Sequence, residues 1–224
     1  MIASLGMFLP DAQAQIHYRA VLIVVALATA ISAFITARQF DRTDKLFLSW
    51  VLLGSGYVVA AIRYLFRIYA LLSGNEILGR PMQNGLLILQ NALVPLSLFL
   101  FLRAWQTTGL TGPGSASARR ASIFLGIVVA VIVGGFPLFR GLAVAKADLV
   151  LLVSTLGDMV SLALIVPLLM PALALRGGSL MHTWAYLTVG IVWWLAYDIM
   201  FALRETMVLR PNVERGIEEA FRVI

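Results

Sequence analysis

Long apolar runs separated by short polar connections dominate the pattern along the chain. Six of these runs are long enough, or nearly so, to cross the roughly 30 Å hydrocarbon core of a membrane as α-helices. They cover residues 18–37, 46–65, 82–102, 121–138, 149–169 and 183–203. Because no connection could hold a second domain, the pattern predicts an all-α polytopic membrane protein with six transmembrane helices in one bundle.

The last residues follow a different pattern. Apolar residues recur at helical spacing between Pro211 and Ile224, with Glu214, Glu218 and Glu219 on the opposite side. This predicts a short amphipathic C-terminal helix that docks on the membrane interface, on a partner or on its own bundle. We therefore divide the chain into a transmembrane domain, 1–207, and an amphipathic tail, 208–224. The predicted partner-binding face of the tail consists of Val213, Ile217, Phe221 and Ile224.

Composition supports the membrane class and excludes several chemistries. Hydrophobic residues make up 61% of the chain and charged residues 12%, about half the charge of a typical soluble domain. The net charge of +6 comes from basic residues scattered among the loops, so the lipid bilayer, and not nucleic acid, is the predicted partner. There is no cysteine, and His17 and His182 fall on opposite membrane faces. No metal or other cofactor is therefore predicted.

Orientation follows from the basic residues near the span ends. Six spans place both termini on one side, which carries ten of the 17 Lys and Arg residues against seven on the other. The positive-inside rule therefore favours cytoplasmic termini in the cell's inner membrane. The first run follows Asp11 and lacks a small-residue cleavage site at its end. We interpret it as a retained helix and not as a signal peptide.

Charged residues inside the apolar runs mark the candidate site. Asp158 and Asp198 each lie about 20 residues from the hairpin centre near Gly178, roughly 30 Å along their helices, so they share one membrane depth. Arg63 reaches the same level, and Arg67 lies one turn deeper. Ionisable groups at such a depth are costly, which makes them functional-site candidates whose charges can neutralise one another.

Polar stripes extend this layer along the helices. Ser154 and Ser161 flank Asp158 at helical spacing, and the third run places Gln90 beside Asn91 on a face that repeats every seven residues. A structural ion-pair cluster, with the amides as interhelical contacts, is the competing interpretation. The predicted ligand or ion-pair layer comprises Arg63, Arg67, Gln90, Asn91, Ser154, Asp158, Ser161, Trp194 and Asp198.

An enzyme alternative rests on the two carboxylates. Paired acids at one depth could share a proton and activate water. Gly157-Asp158 and Tyr197-Asp198 resemble fragments of the motifs of presenilin-like aspartyl proteases. The two fragments occur in reverse order, Thr155 stands where the first motif has glycine, and Arg63 offers an ion-pair partner that would keep an acid ionised. We therefore expect no catalytic residues.

A second resemblance covers the last two spans. The residues that carry it are Leu156-Gly157-Asp158, Trp184, Gly190, Trp194, Tyr197-Asp198 and Phe201-Ala202. They resemble the end of the multi-pass sensory regions at the N-terminus of some bacterial histidine kinases and diguanylate cyclases, where a Gly-Asp helix precedes a Trp-rich helix that ends in Ala-Asp or Tyr-Asp. The resemblance implies a membrane sensor. Such sensors continue into a cytoplasmic signalling domain, whereas this sequence ends at Ile224.

Taken together, these patterns predict a non-enzymatic inner-membrane protein of the sensor type. Its polar layer binds a small ligand or ions, and the sixth helix passes the change to the tail and to another membrane or membrane-associated protein. An accessory subunit of a larger membrane complex, in which the polar layer is structural, is the main alternative. A small-solute transporter is the third possibility, although no internal repeat is evident.

Overall fold

Five α-helices form the part of the chain that this computed structural model describes, residues 11–74, 76–107, 116–143 and 149–174. They are α1 (Asp11–Ala37), α2 (Lys45–Ser73), α3 (Glu76–Thr107), α4 (Ala116–Ala143) and α5 (Leu149–Ala174). No strand occurs within these ranges. The all-α prediction is confirmed for them, and the sixth predicted span, 183–203, and the tail, 208–224, lie outside the described residues.

Local sequence sets both ends of α2. The Asp44 carboxylate accepts a hydrogen bond of 2.8 Å from the backbone N–H of Leu46, which caps the start of the helix. Gly74 ends it with φ of 65°, a left-handed conformation that glycine adopts without steric cost. The first predicted connection, 38–45, is accordingly a tight turn before α2.

The second connection is shorter than the interval 66–81 between the second and third predicted spans. Helix α3 already begins at Glu76, so Pro81 lies inside it, as does Pro95. The first four N–H groups of a helix have no partner within it, and Pro81 follows them closely, so it removes only a single early hydrogen bond. A proline in this position therefore does not prevent the helix from starting before it.

The helices pack in the spatial order α1, α2, α3, α5, α4. Helix α2 contacts α1 and α3, while α5 contacts α3 and α4, and these are the only neighbouring pairs among the five described helices. Small residues allow close approach at these contacts: a Cβ on Gly56 would lie 3.0 Å from Val94 of α3, and one on Gly126 would collide with the Ala163 carbonyl of α5. Glycine at such points is typical of transmembrane helix packing.

A compact apolar cluster is centred on α3. Phe101 is completely buried and packs edge-to-face on Trp50 of α2, with ring centroids 4.9 Å apart. Leu162 of α5, Ala33 of α1 and Ala130 of α4 belong to the same cluster. Because it draws on all five described helices, this cluster fixes their relative positions and thereby the polar residues that they carry.

Three of the helices are long and apolar enough to cross a membrane. These stretches are Gln13–Ala37, Lys45–Ser73 and Arg80–Ala104, and shorter apolar stretches occur at Arg120–Ile132 and Leu152–Leu168. Large apolar side chains cover the outer surface, for example Val24, Phe124 and Ile132, which are between 66% and 69% exposed. A surface of this kind is suited to lipid.

Candidate functional site

Arg63 is a half-buried cation within the described part of the bundle. It lies on α2, half-buried, ten residues before Ser73 and therefore roughly 15 Å from the end of the helix. Its Nη2 donates to the Tyr64 hydroxyl at 3.4 Å, and its guanidinium carbon lies 5.1 Å from the centre of the Tyr64 ring. Its Nε is buried and has no hydrogen-bond partner. The tyrosine thus partly replaces the water that the cation has lost.

Asp158 is the matching buried acid. It lies on α5, half-buried, nine residues after Leu149 and roughly 14 Å from that end of the helix. If every helix crosses the membrane, as the sequence predicts, the end of α2 and the start of α5 lie on one side and the two residues share a depth. The Arg63 charge acts electrostatically on Asp158. Within the described residues, however, no direct ion pair joins them.

Helix α3 lies between these two charges and contributes amides. Asn91 donates from Nδ2 to the Ser154 hydroxyl of α5 at 2.9 Å. Gly157 makes this approach possible, because a Cβ there would lie 2.9 Å from the Asn91 Cβ. Gln90 is half-buried, and its Oε1 atom is buried without a partner. We call Arg63, Tyr64, Gln90, Asn91, Ser154 and Asp158 the polar cluster.

Register places Arg63 and Gln90 on facing sides of α2 and α3. The Ser97 hydroxyl of α3 donates to the Ser49 carbonyl of α2 at 3.0 Å. Arg63 lies two heptads after Ser49 and Gln90 one heptad before Ser97, and seven residues are close to two complete helical turns. Gly56, which packs on Val94, lies on the same stripe of α2 and shows that the contact continues along it. Arg63 and Gln90 therefore lie on the same helix interface but one to two turns apart, because two heptads from Ser49 on α2 correspond to Gln83, and not to Gln90, on the antiparallel α3.

Two serines of the predicted stripes have a purely structural arrangement. Ser97 is fully buried in its bond to the Ser49 carbonyl, and the Ser161 hydroxyl donates to the Gly157 carbonyl of its own helix at 2.9 Å. Both hydroxyls are satisfied by backbone oxygens, as buried polar groups in a membrane must be. Ser97 in particular joins α2 to α3.

Arg67 lies at the rim and not in the polar cluster. Its side chain is exposed, and its backbone carbonyl accepts a 3.2 Å hydrogen bond from Arg19 Nη1 of α1. The other predicted site residues, Asp198 and Trp194 of the sixth span and Val213, Ile217, Phe221 and Ile224 of the tail, lie outside the described residues. The pairing of Asp198 with an arginine therefore stays a prediction.

The sequence interpretation missed the roles of Tyr64 and Gly157. Tyr64 has no place in the predicted polar layer, but it contacts Arg63 directly. Gly157 was interpreted only as a motif residue beside Asp158, whereas it admits Asn91 to the surface of α5. Because Tyr64 directly follows Arg63 in the sequence, its contact with the arginine could have been predicted. No sequence signal pointed to the helix that Gly157 faces.

The bond between Asn91 and Ser154 makes a testable contribution to bundle stability. We expect Asn91→Ala and Ser154→Ala, combined in a double-mutant cycle, to show a coupling energy of about 0.6 kcal/mol, the average for hydrogen bonds between transmembrane helices. The free energy of unfolding in mixed detergent and SDS micelles measures it. Strictly additive costs of the two substitutions would mean that the bond contributes nothing.

Comparison of the chain with protein-family models, curated proteins and solved structures finds no match in any of the three. Function is therefore argued from the polar cluster itself.

Proposed function

We propose that this chain is a non-enzymatic, multi-pass inner-membrane protein with six spans that senses a small ligand or ion at its polar cluster. The sixth span passes the change to the C-terminal tail, on the cytoplasmic side, and the tail contacts a partner protein. In this proposal Asp198 and Trp194 of the sixth span complete the binding layer that Arg63 and Asp158 begin.

The observation that carries the proposal is the incomplete pairing of the polar cluster. A purely structural cluster saturates its hydrogen bonds, because a half-satisfied buried network is less stable than an apolar one. Here Arg63 Nε and Gln90 Oε1 are buried and unpartnered, and Arg63 and Asp158 interact without direct contact. A bound molecule between α2 and α3 supplies the missing partners, and its arrival changes the interaction between the two helices.

An accessory-subunit role is the second candidate, and other bonds favour it. The Asn91 amide and the Ser97 hydroxyl already join helices within the bundle. If residues of the sixth predicted span completed the cluster in the same way, the polar layer would serve only assembly. The two roles differ in the partner that each requires.

Deletion of Pro211–Ile224 tests the proposed output. We expect the deleted protein to insert and fold normally but to lose its partner, because transmembrane helices satisfy their own backbone hydrogen bonds and do not need the tail. The measurement is affinity purification of the full-length and the deleted protein from native membranes, with quantification of co-purifying proteins. Protease protection of the spans verifies insertion.

A matched pair of full-length variants separates the two faces of the tail. Replacing Val213, Ile217 and Phe221 with serine should reproduce the deletion, whereas replacing Glu214, Glu218 and Glu219 with glutamine should leave partner binding intact. A soluble signalling protein as the lost partner supports the sensor. A stoichiometric polytopic partner that remains bound without the tail supports the accessory subunit instead.

A further inference from the structure

The outer stripe of α3 ends in a cation. The apolar stretch of this helix ends at Ala104, and Arg103 is exposed on the side opposite to the buried Phe101. The exposed residues that precede it on that side, at helical spacing, are Leu89, Ala92, Leu96 and Phe99. Arg103 therefore lies at the end of a lipid-facing stripe, where the bilayer meets water.

The Arg103 side chain extends back along this stripe. Its guanidinium carbon lies 5.5 Å from the centre of the Phe99 ring, and Phe99 is one turn, about 6 Å, nearer the membrane centre. Helical side chains lean toward the N-terminus of their helix, which at this end of α3 is the direction of the bilayer. The ring attracts the cation but does not neutralise its charge.

No acid of the described residues neutralises Arg103 either. It forms no ion pair and no hydrogen bond with any of them, and α3 carries its only acid at its other end. The bond between Ser97 and Ser49 sets Arg103 level with the turn before α2. That turn contains Asp41 and Asp44, and neither forms an ion pair with Arg103. A cation that leans into a bilayer without a counter-ion is costly, so an anion on the lipid side is favoured.

We propose that Arg103 and Phe99 form a binding site for the phosphate of an anionic phospholipid. The guanidinium binds phosphate oxygens through its fork of N–H groups, and the ring holds the guanidinium in place. An acyl chain lies along the stripe from Leu89 to Phe99, which measures roughly 15 Å, half of the roughly 30 Å hydrocarbon core. An anionic lipid is favoured over a phosphocholine lipid, because choline places a second cation beside the phosphate. The site is independent of the proposed sensor function, since it involves neither the polar cluster nor the tail.

Helix α4 offers a matched control pair. Arg120 and Phe124 are exposed and four residues apart, like Phe99 and Arg103, but in the reverse order along the helix. The Arg120 side chain therefore leans away from its phenylalanine, and the two side chains make no ring contact. If α4 crosses the membrane, as the sequence predicts, Arg120 lies at the same membrane surface as Arg103. It therefore measures the unspecific attraction between a basic residue and anionic lipid.

Native mass spectrometry of the purified full-length protein, with added phosphatidylglycerol or phosphatidylcholine, measures the binding. We expect phosphatidylglycerol to bind more tightly. Arg103→Gln should raise its apparent dissociation constant roughly fivefold, the usual effect of one basic residue at an anionic membrane surface. Arg120→Gln should leave the constant nearly unchanged. Equal effects of the two substitutions, or equal binding of the two lipids, would overturn the proposal.

Substitution of the two rings separates the aromatic contact from the apolar surface. Phe99→Leu keeps an apolar side chain for the acyl chain but removes the ring, so binding of phosphatidylglycerol should weaken roughly twofold to fivefold. Phe124→Leu should have no such effect, and an equal loss in both variants would contradict the site. The substituted side chains are all exposed, so the variants should fold.

The source of the phosphate is tested by competition. Glycerol phosphate carries the same anionic group without acyl chains, so we expect it not to displace phosphatidylglycerol at an equal concentration. Displacement would show a site for a soluble anion and overturn the assignment to lipid.

Discussion

Gly126→Ala is expected to displace α4 from α5 and to lower the free energy of unfolding by about 1–3 kcal/mol, the usual cost of overpacking a tight contact. A Cβ at this position would collide with the Ala163 carbonyl oxygen of α5. That oxygen belongs to a helix backbone and cannot rotate away, so the whole of α4 has to move. Unfolding in mixed detergent and SDS micelles measures the loss.

Gly85→Ala is the matched control. Its added methyl meets nothing within 4 Å, and alanine favours the helix over glycine by up to about 1 kcal/mol. Gly134→Ala should fall between the two, because its neighbour is the flexible side chain of Met159. If Gly126→Ala unfolds like Gly85→Ala, the close packing of α4 on α5 is wrong.

Phe101→Ala should have the largest effect, a loss of about 3–5 kcal/mol. The side chain is completely buried and packs edge-to-face on Trp50 at an interplanar angle of 81°. In a membrane the apolar effect contributes little between helices, so the loss consists of van der Waals and aromatic contacts that lipid cannot replace in a closed cavity. The same unfolding assay measures it.

Phe124→Ala tests whether burial is the cause of the stability loss expected for Phe101→Ala. Phe124 lies on α4 and is 69% exposed, so its ring contacts lipid in both the folded and the unfolded state. We expect a change close to zero. A loss comparable to that of Phe101→Ala would show that phenylalanine content, and not the packing of the apolar cluster, determines stability.

The apolar runs predicted where the helices occur, because length and hydropathy are local properties. Every described helix contains the corresponding predicted span, and the turn before α2 follows from Asp44 and the polar residues around it. The ends were less predictable: α3 includes Pro81, since an early proline costs a helix little. Which helices pack against each other was not predictable, because lipid-facing and helix-facing apolar residues look alike in sequence.

The candidate site was likewise predictable only in part. Counting along the helices placed Arg63 and Asp158 at one depth, and in the structure they lie near enough for the opposite charges to attract each other without a direct ion pair. The residue count could not reveal that Gln90 Oε1 remains without a partner while the adjacent Asn91 side chain donates to Ser154. The two amides differ by 100° around the helix axis, and only the positions of α2 and α5 decide what each one meets.

The order α1, α2, α3, α5, α4 has a consequence for biogenesis. During synthesis α4 leaves the ribosome before α5, yet α5 is the only described helix that it contacts. If α4 enters the bilayer, as the sequence predicts, Gly126 and Gly134 face no other described helix until α5 follows. Its stretch from Ala121 to Leu138 carries no charge, so we expect α4 to tolerate lipid on that side until α5 packs between α3 and α4.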